Sequence, residues 1–137
     1  MARDAYMATL RRRLSEEVGR MEKHASFRIA LSYPSPYRTG MSSLGFQQIY
    51  RSVQMEPDMA ADRAFLPDDD DPPRTVPLTY EHFRPINDYP VIALSVAYEL
   101  EIAGVIRLLE AAGIPALREK RAESFPFVLA GGPLTNS

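Results

Sequence analysis

Apolar residues recur at three- and four-residue steps through the first 24 residues, a spacing that puts them on one face of a helix. Charged residues fill the other faces, and the apolar positions are Tyr6, Met7, Leu10, Leu14, Val18 and Met21. The pattern predicts an amphipathic helix over residues 3–24, packed on the domain that follows or on a neighbouring one. The alternatives are a dimerisation helix and a basic anchor at Arg11–Arg13, and one short basic run gives the anchor little support.

Four short segments with strand-like patterns then predict the strands of a sheet. They are Phe27–Tyr33, Asp62–Leu66, Val91–Val96 and Phe127–Ala130. The third is a continuous apolar run, which is typical of a strand buried on both faces. Because helical patterns separate the strands, we expect βαβ units with right-handed crossovers and hence a parallel sheet.

Two crossover helices have clear start and stop signals. The first begins at a cap formed by Ser42 or Ser43 and ends before Pro57. The second covers 100–109, with Gly113 as its C-terminal cap. Between them lies a proline-rich connection, for which we expect loop and a short helix near Thr79–Phe83.

These elements predict one doubly wound, flavodoxin-like α/β domain over residues 26–137, preceded by an N-terminal helical unit over residues 1–25. A complete fold of this type would add a helix and an edge strand after Pro133. We therefore expect the domain to be incomplete at its C-terminus.

Composition narrows the possible chemistry. The net charge is −2 with no cysteine and two histidines, and 45% of the residues are apolar. The absence of cysteine excludes disulfides, thiolate nucleophiles, iron–sulfur clusters and thiolate zinc sites. The charge offers no footprint for nucleic acid or an anionic membrane, and no apolar leader or spanning segment occurs, so we expect a cytoplasmic protein.

No set of residues forms a nucleophile, a base and an orienting group, so no catalytic residue is predicted. The acidic run Asp68–Asp71 lacks the spacing of a calcium loop and predicts a solvated loop. His24 and His82 have no partner pattern, and we expect both on the surface.

Ligands of open parallel sheets bind beyond the carboxyl ends of the strands. That rule selects Pro34–Met41, Ser95–Glu99 and Gly131–Pro133. Gly131 and Gly132 allow close approach of a ligand to the backbone, and the alternative is that they only turn the chain.

The segment after the first strand has two interpretations. It runs into a helix N-terminus, where Arg38 and Thr39 could help to hold a phosphate. It has neither the Walker A nor the dinucleotide glycine spacing, so the alternative is a packed loop in which Tyr37 closes over the core.

A longer comparison of residues gives a resemblance. The segment 28–47 resembles the opening of a family of radical S-adenosylmethionine (radical SAM) proteins, whose N-terminal region is similar to a cobalamin-binding domain. Three further stretches fit in order, at 63–68, 95–100 and 130–133. The resemblance covers nearly the whole chain from Phe27 onward.

The resemblance implies a larger enzyme. In this family a radical-generating barrel follows the N-terminal domain and holds an iron–sulfur cluster and S-adenosylmethionine through a three-cysteine motif. Because this chain has no cysteine, we assign those cofactors to a downstream radical SAM domain. That domain is also the expected partner.

The resemblance also implies a cobalamin site. Ser95, Gly131 and Gly132 would contact the nucleotide tail, whereas Tyr37, Arg38, Thr39 and Gly40 would face the corrin. Cobalamin domains of the methionine-synthase type carry a histidine ligand in the loop after the first strand, but Pro34–Met41 contains none. We therefore expect cobalamin to be held without that ligand.

Two alternatives stay open. The first is a degenerate, cofactor-free domain that docks a partner or presents a substrate, which the missing histidine favours. The second is a flavodoxin-like nucleotide or phosphate binder.

Overall fold

A parallel sheet of four strands forms the centre of the molecule. The computed structural model describes residues 2–18, 23–68, 76–96, 101–121 and 126–131. The strands are β1 (Phe27–Tyr33), β2 (Met59–Phe65), β3 (Val91–Ser95) and β4 (Phe127–Gly131). Their order across the sheet is β2-β1-β3-β4, with every pair parallel. The predicted α/β class and parallel topology are confirmed, and the order is that of a flavodoxin-like sheet.

In the described parts of the chain, four α-helices and two short 3-10 turns accompany the sheet. The helices are α1 (Ala2–Ser15), α2 (Tyr37–Met41), α3 (Leu44–Gln54) and α4 (Glu101–Ala111). The 3-10 turns are Ile86–Asp88 and Arg118–Lys120. The α3 and α4 crossovers follow the predicted pattern, and Gly113 ends the second with a φ of 74°.

The two faces of the sheet carry separate apolar cores. On one face, residues of α1 and α3 such as Leu10 and Phe46 pack on Leu31 of β1 and Phe65 of β2. On the other face, α4 and the connection before β3 cover the sheet. Because successive strands are added first to the left and then to the right of β1, right-handed crossovers require helices on opposite faces.

Helix α1 is shorter than the predicted span of 3–24. It ends at Ser15, and the N–H groups of Glu16 and Glu17 donate to carbonyls three residues back, which tightens the last turn. The apolar period continues to Val18, but this side chain is 99% exposed. The helix stops because Glu17 turns towards a buried arginine on β2, an interaction that periodicity cannot reveal. Met21 lies outside the described residues.

The predicted short helix near Thr79–Phe83 is wrong. This segment forms a turn along the outer edge of β2, where the N–H of Tyr80 donates to the carbonyl of Arg63 at 2.8 Å. In return, the N–H of Arg63 donates to the Glu81 carboxylate at 2.5 Å. The turn therefore covers an edge that would otherwise present unpaired backbone groups.

On the opposite edge strand, β4, one face carries exposed apolar side chains. Phe127 is 65% exposed and Leu129 is 54% exposed, and both pair with β3 residues whose side chains are only partly covered. Within the described residues, no helix is long and apolar enough to cross a membrane.

Candidate functional site

The carboxyl edge of the sheet brings Ser95 and Gly131 side by side. They are register partners at the ends of β3 and β4, and the N–H of Val96 donates to the carbonyl of Gly131 at 2.9 Å, which extends the pairing by one step. Ser95 is 6% exposed. The chain turns towards β2 after β1 and towards β4 after β3, so the crevice where ligands of such sheets bind lies beside Ser95. Gly132 lies outside the described residues.

The glycines differ in what the fold requires of them. A Cβ at Gly40 would overlap the Phe65 ring, and a Cβ at Gly104 would overlap the carbonyl oxygen of Pro34. Gly113 has a positive φ. At Gly131 an added Cβ meets no described atom within 4 Å, and the φ of Gly131 lies outside the left-handed region. Neither packing against the described residues nor the backbone conformation therefore requires a glycine at position 131. Glycine also weakens a strand, so it brings no stability there.

The segment after β1 is helix α2 rather than the expected loop, and it lies against the core. Tyr37 stacks on Tyr80 with ring centroids 4.7 Å apart and meets Phe65 edge to face at 5.2 Å. Its hydroxyl donates to the Glu17 carboxylate at 2.5 Å. Burial and the hydrogen bond to Glu17 raise the pKa of Tyr37. Tyr37 thus closes over the core, as in the second interpretation of this segment.

The remaining residues predicted in this segment divide between core and solvent. Gly40 is buried under Phe65, whereas Arg38 and Thr39 are exposed. The N-terminus of the next helix is already capped, because the hydroxyl of Ser43 accepts the N–H of Phe46 at 3.2 Å. The phosphate interpretation thus loses one of the donors on which it depends.

Tyr37 and Arg38 line a cleft that Ser95 and Gly131 do not share. The cleft has a volume of about 400 Å³ and lies between the end of α1 and helix α2. Its walls include Arg13, Glu16, Glu17, Tyr37, Arg38 and Met41. The structure therefore separates the predicted site residues into two groups, one at the carboxyl ends of β3 and β4 and one beside α1.

Sequence reasoning missed a buried ion cluster on one face of β2. Arg63 is 2% exposed, and its guanidinium donates to Glu17 at 2.9 Å and to Glu81 at 2.6 Å. Its ring neighbour is Tyr50, 4.9 Å away. Burial alone lowers the pKa of Arg63, but the two carboxylates outweigh it and raise the pKa overall. The available signal was a charged pair, Asp62 and Arg63, inside an otherwise apolar strand.

A second cluster lies on the other face of β2. The fully buried Asp62 accepts hydrogen bonds from Arg28 at 2.7 Å and from Tyr89 at 2.5 Å. His82 lies 2.8 Å from the same carboxylate through Nδ1. The expectation that His82 has no partner is wrong, although the side chain is 41% exposed as a surface residue should be. The partner was missed because Asp62 is 20 residues away in sequence.

Neither cluster forms a metal centre. Among the described residues, no three histidine, aspartate or glutamate side chains lie where they could hold a metal ion. Asp68 lies in the coil after β2, and the rest of the acidic run lies outside the described residues. His24 is an exposed residue of the coil before β1.

Comparison with known families gives one match. The family described as "Radical SAM proteins, N-terminal" matches residues 45–137, more than half of the chain. The match includes three of the four resembling stretches and the end of the first. Neither a curated protein nor a solved structure matches the chain.

Proposed function

Because the chain belongs to the family of radical SAM protein N-terminal domains, we propose that it is a non-catalytic domain that holds cobalamin at the carboxyl edge of its sheet. In this proposal a downstream radical SAM domain carries the iron–sulfur cluster and S-adenosylmethionine and makes the parent protein an enzyme. The chain supplies binding and orientation. The cytoplasmic location stays a prediction.

The proposal rests on Gly131. No atom of the described residues lies within 4 Å of its Cβ position, so these residues leave room for a ligand to approach the backbone at the end of β4. Its register partner Ser95 offers a hydroxyl at the same level of the neighbouring strand. A backbone that can be approached closely beside a hydroxyl donor suits a polar ligand tail, and the proposal includes Gly132 on its place in the sequence alone.

Fewer residues of α2 can contact the corrin than the sequence predicts. Tyr37 and Gly40 are engaged in packing on Phe65, and Arg38 lines the separate cleft beside α1. A corrin contact from α2 would therefore come from Thr39, whose side chain is exposed. No histidine stands in α2. His82 is held by Asp62 beside β2, and His24 precedes β1. Cobalamin would therefore be held without an imidazole from the segment after β1.

The test is spectroscopic. The protein in its full natural length is mixed with hydroxocobalamin, desalted and scanned between 300 and 600 nm, roughly the range in which corrins absorb. We expect a retained corrin spectrum with shifted bands, because protein contacts change the environment of the ring. Elution of colourless protein would overturn the cofactor assignment.

A cofactor-free docking domain is the second candidate, and the packing of α2 favours it. In this case the segment after β1 serves only to close the core. Tyr37 stacks on Tyr80, and Gly40 packs so close to Phe65 that a larger residue would overlap the ring. The open apolar face at Phe127 and Leu129 would then meet the partner. Substitution Leu129→Asp would weaken association with a separately produced radical SAM domain, and neither this variant nor the unsubstituted protein would retain cobalamin.

A further inference from the structure

We propose that the cleft between the end of α1 and helix α2 binds a small organic or inorganic oxyanion through Arg13 and Arg38. The ligand chemistry is a carboxylate or a phosphate group. This site goes beyond the cobalamin assignment, because neither Ser95 nor Gly131 lines the cleft.

The cleft is open to solvent, has the size of a small-molecule site and is lined mainly by charged and polar residues. Its volume of about 400 Å³ falls within the range of small-ligand pockets, roughly 300–1,000 Å³. Tyr37 and Met41 supply apolar surface within it. The side chain of Met41 is held in place, because its sulfur accepts hydrogen bonds from the Gln47 amide at 3.4 Å and from the Arg63 guanidinium at 3.5 Å. A side chain of Met41 held in this way would give a ligand a fixed apolar contact.

The one buried carboxylate in the cleft is already neutralised. Both oxygens of Glu17 accept from the guanidinium of Arg63, at 2.9 and 3.2 Å, and one of them also accepts from the hydroxyl of Tyr37. A bidentate pair satisfies a carboxylate in both geometry and charge. Glu17 therefore offers little to a cation, and its repulsion of an anion is reduced.

The two cations of the cleft differ in how they are held. Arg13 is pre-positioned, since its guanidinium donates to the Tyr80 hydroxyl at 2.8 Å and lies 5.6 Å from the centre of the Tyr37 ring. Arg38 is exposed, and no carboxylate in the described part of the chain pairs with its guanidinium. A fixed and an adaptable guanidinium on one cleft match the fork geometry by which arginine binds carboxylate and phosphate.

Glu16 is the opposing charge. It is exposed at the cleft and forms no ion pair with any described residue. Because it repels an anion, its removal is expected to strengthen binding. This gives a variant that gains affinity, which cannot be explained by loss of folding.

The experiment follows the methyl group of Met41 by NMR. The chain is labelled at its methionine methyl groups and titrated at low ionic strength with inorganic phosphate in one arm and benzoate in the other. We expect a saturable shift of Met41, whereas Met55, 78% exposed and outside the cleft, stays unchanged. The stronger arm identifies the class of oxyanion, and no saturable shift of Met41 in either arm overturns the proposal.

Charge variants connect the shift to the cleft. Arg38→Glu is expected to weaken binding at least tenfold, because it reverses an exposed charge at the site, and Glu16→Gln to strengthen binding about twofold to fivefold, because it removes one. Arg107→Glu, an exposed arginine of α4, is the matched control and should change the affinity by less than twofold. Equal losses for Arg38→Glu and Arg107→Glu would mean that only net charge attracts the anion, and would overturn the site.

Discussion

Two neighbouring residues of β2, Asp62 and Arg63, are buried on opposite faces of the sheet, and each organises its own polar cluster. Asp62 gathers Arg28, His82 and Tyr89, while Arg63 ties Glu17 after α1 to Glu81 on the edge-covering turn. Buried charges are tolerated only when they are paired and hydrogen-bonded. At the scale of the residue, these clusters fix where α1 ends and where the connection after β2 lies.

Replacement of Arg63 tests the first cluster. Arg63→Met leaves two carboxylates, each 8% exposed, without their cation, and we expect the free energy of unfolding to fall by about 3–5 kcal/mol. Urea denaturation measures the change. The triple variant Arg63→Met, Glu17→Gln, Glu81→Gln should recover part of the loss, because it removes the stranded charges. A loss below about 1 kcal/mol for the single variant would show that the cluster is hydrated, as surface pairs are.

Two tyrosines, the half-buried Tyr37 and the buried Tyr89, predict that the free energy of unfolding falls at alkaline pH. Burial and a neighbouring carboxylate raise the pKa of Tyr37 and of Tyr89 above the ordinary value of 10. The folded chain therefore keeps protons that the unfolded chain loses above pH 10, so stability is fully present below that pH and falls as the pH rises further. Urea denaturation between about pH 8 and pH 11 should show this fall, with a smaller slope in Tyr37→Phe. The same slope in both proteins would contradict the assignment.

At the scale of the element, sequence patterns correctly predicted the helix starts, faces and ends that depend only on neighbouring residues. The cap at Ser43, the face of α3 and the stop at Gly113 follow from rules that act within one or two turns. The patterns failed where a distant partner decides. Helix α1 ends early because Glu17 meets Arg63, 46 residues away. The turn at 79–83 replaces a helix because its backbone pairs with β2.

Helix α2 depends on a glycine that faces an aromatic ring. In Gly40→Ala the new methyl group would overlap Phe65, and overpacking of this kind costs about 1–3 kcal/mol. The matched control is Gly45→Ala in α3, where the nearest atom would be the Ser43 hydroxyl at an ordinary 3.9 Å. Thermal unfolding should separate the two, with a lower Tm for Gly40→Ala and an unchanged or slightly higher one for Gly45→Ala. Equal Tm values would mean that α2 moves away from β2 at little cost.

At the scale of the whole molecule, the order of apolar strands and helical patterns was sufficient for the fold class. Alternating strands and helices with right-handed crossovers leave few topologies, and the observed order β2-β1-β3-β4 is one of them. The candidate site could be predicted from the sequence only in part. The strand-end rule selected Ser95 and Gly131 and the structure pairs them, whereas Tyr37 and Gly40 belong to the packing of α2. Hydrophobic periodicity does not distinguish a glycine that packs against the core, such as Gly40, from one that leaves room for a ligand, as proposed for Gly131.

The most direct test of the cobalamin assignment is hydroxocobalamin retention by Gly131→Phe beside the unsubstituted protein, with unfolding curves for both. An added Cβ at Gly131 meets no described atom within 4 Å, and on this ground we expect an unchanged Tm and at least a tenfold loss of cobalamin affinity. Gly45→Ala should retain the cofactor. Retention of cobalamin by Gly131→Phe at the affinity of the unsubstituted protein would contradict the account, because the ligand would then not approach the end of β4.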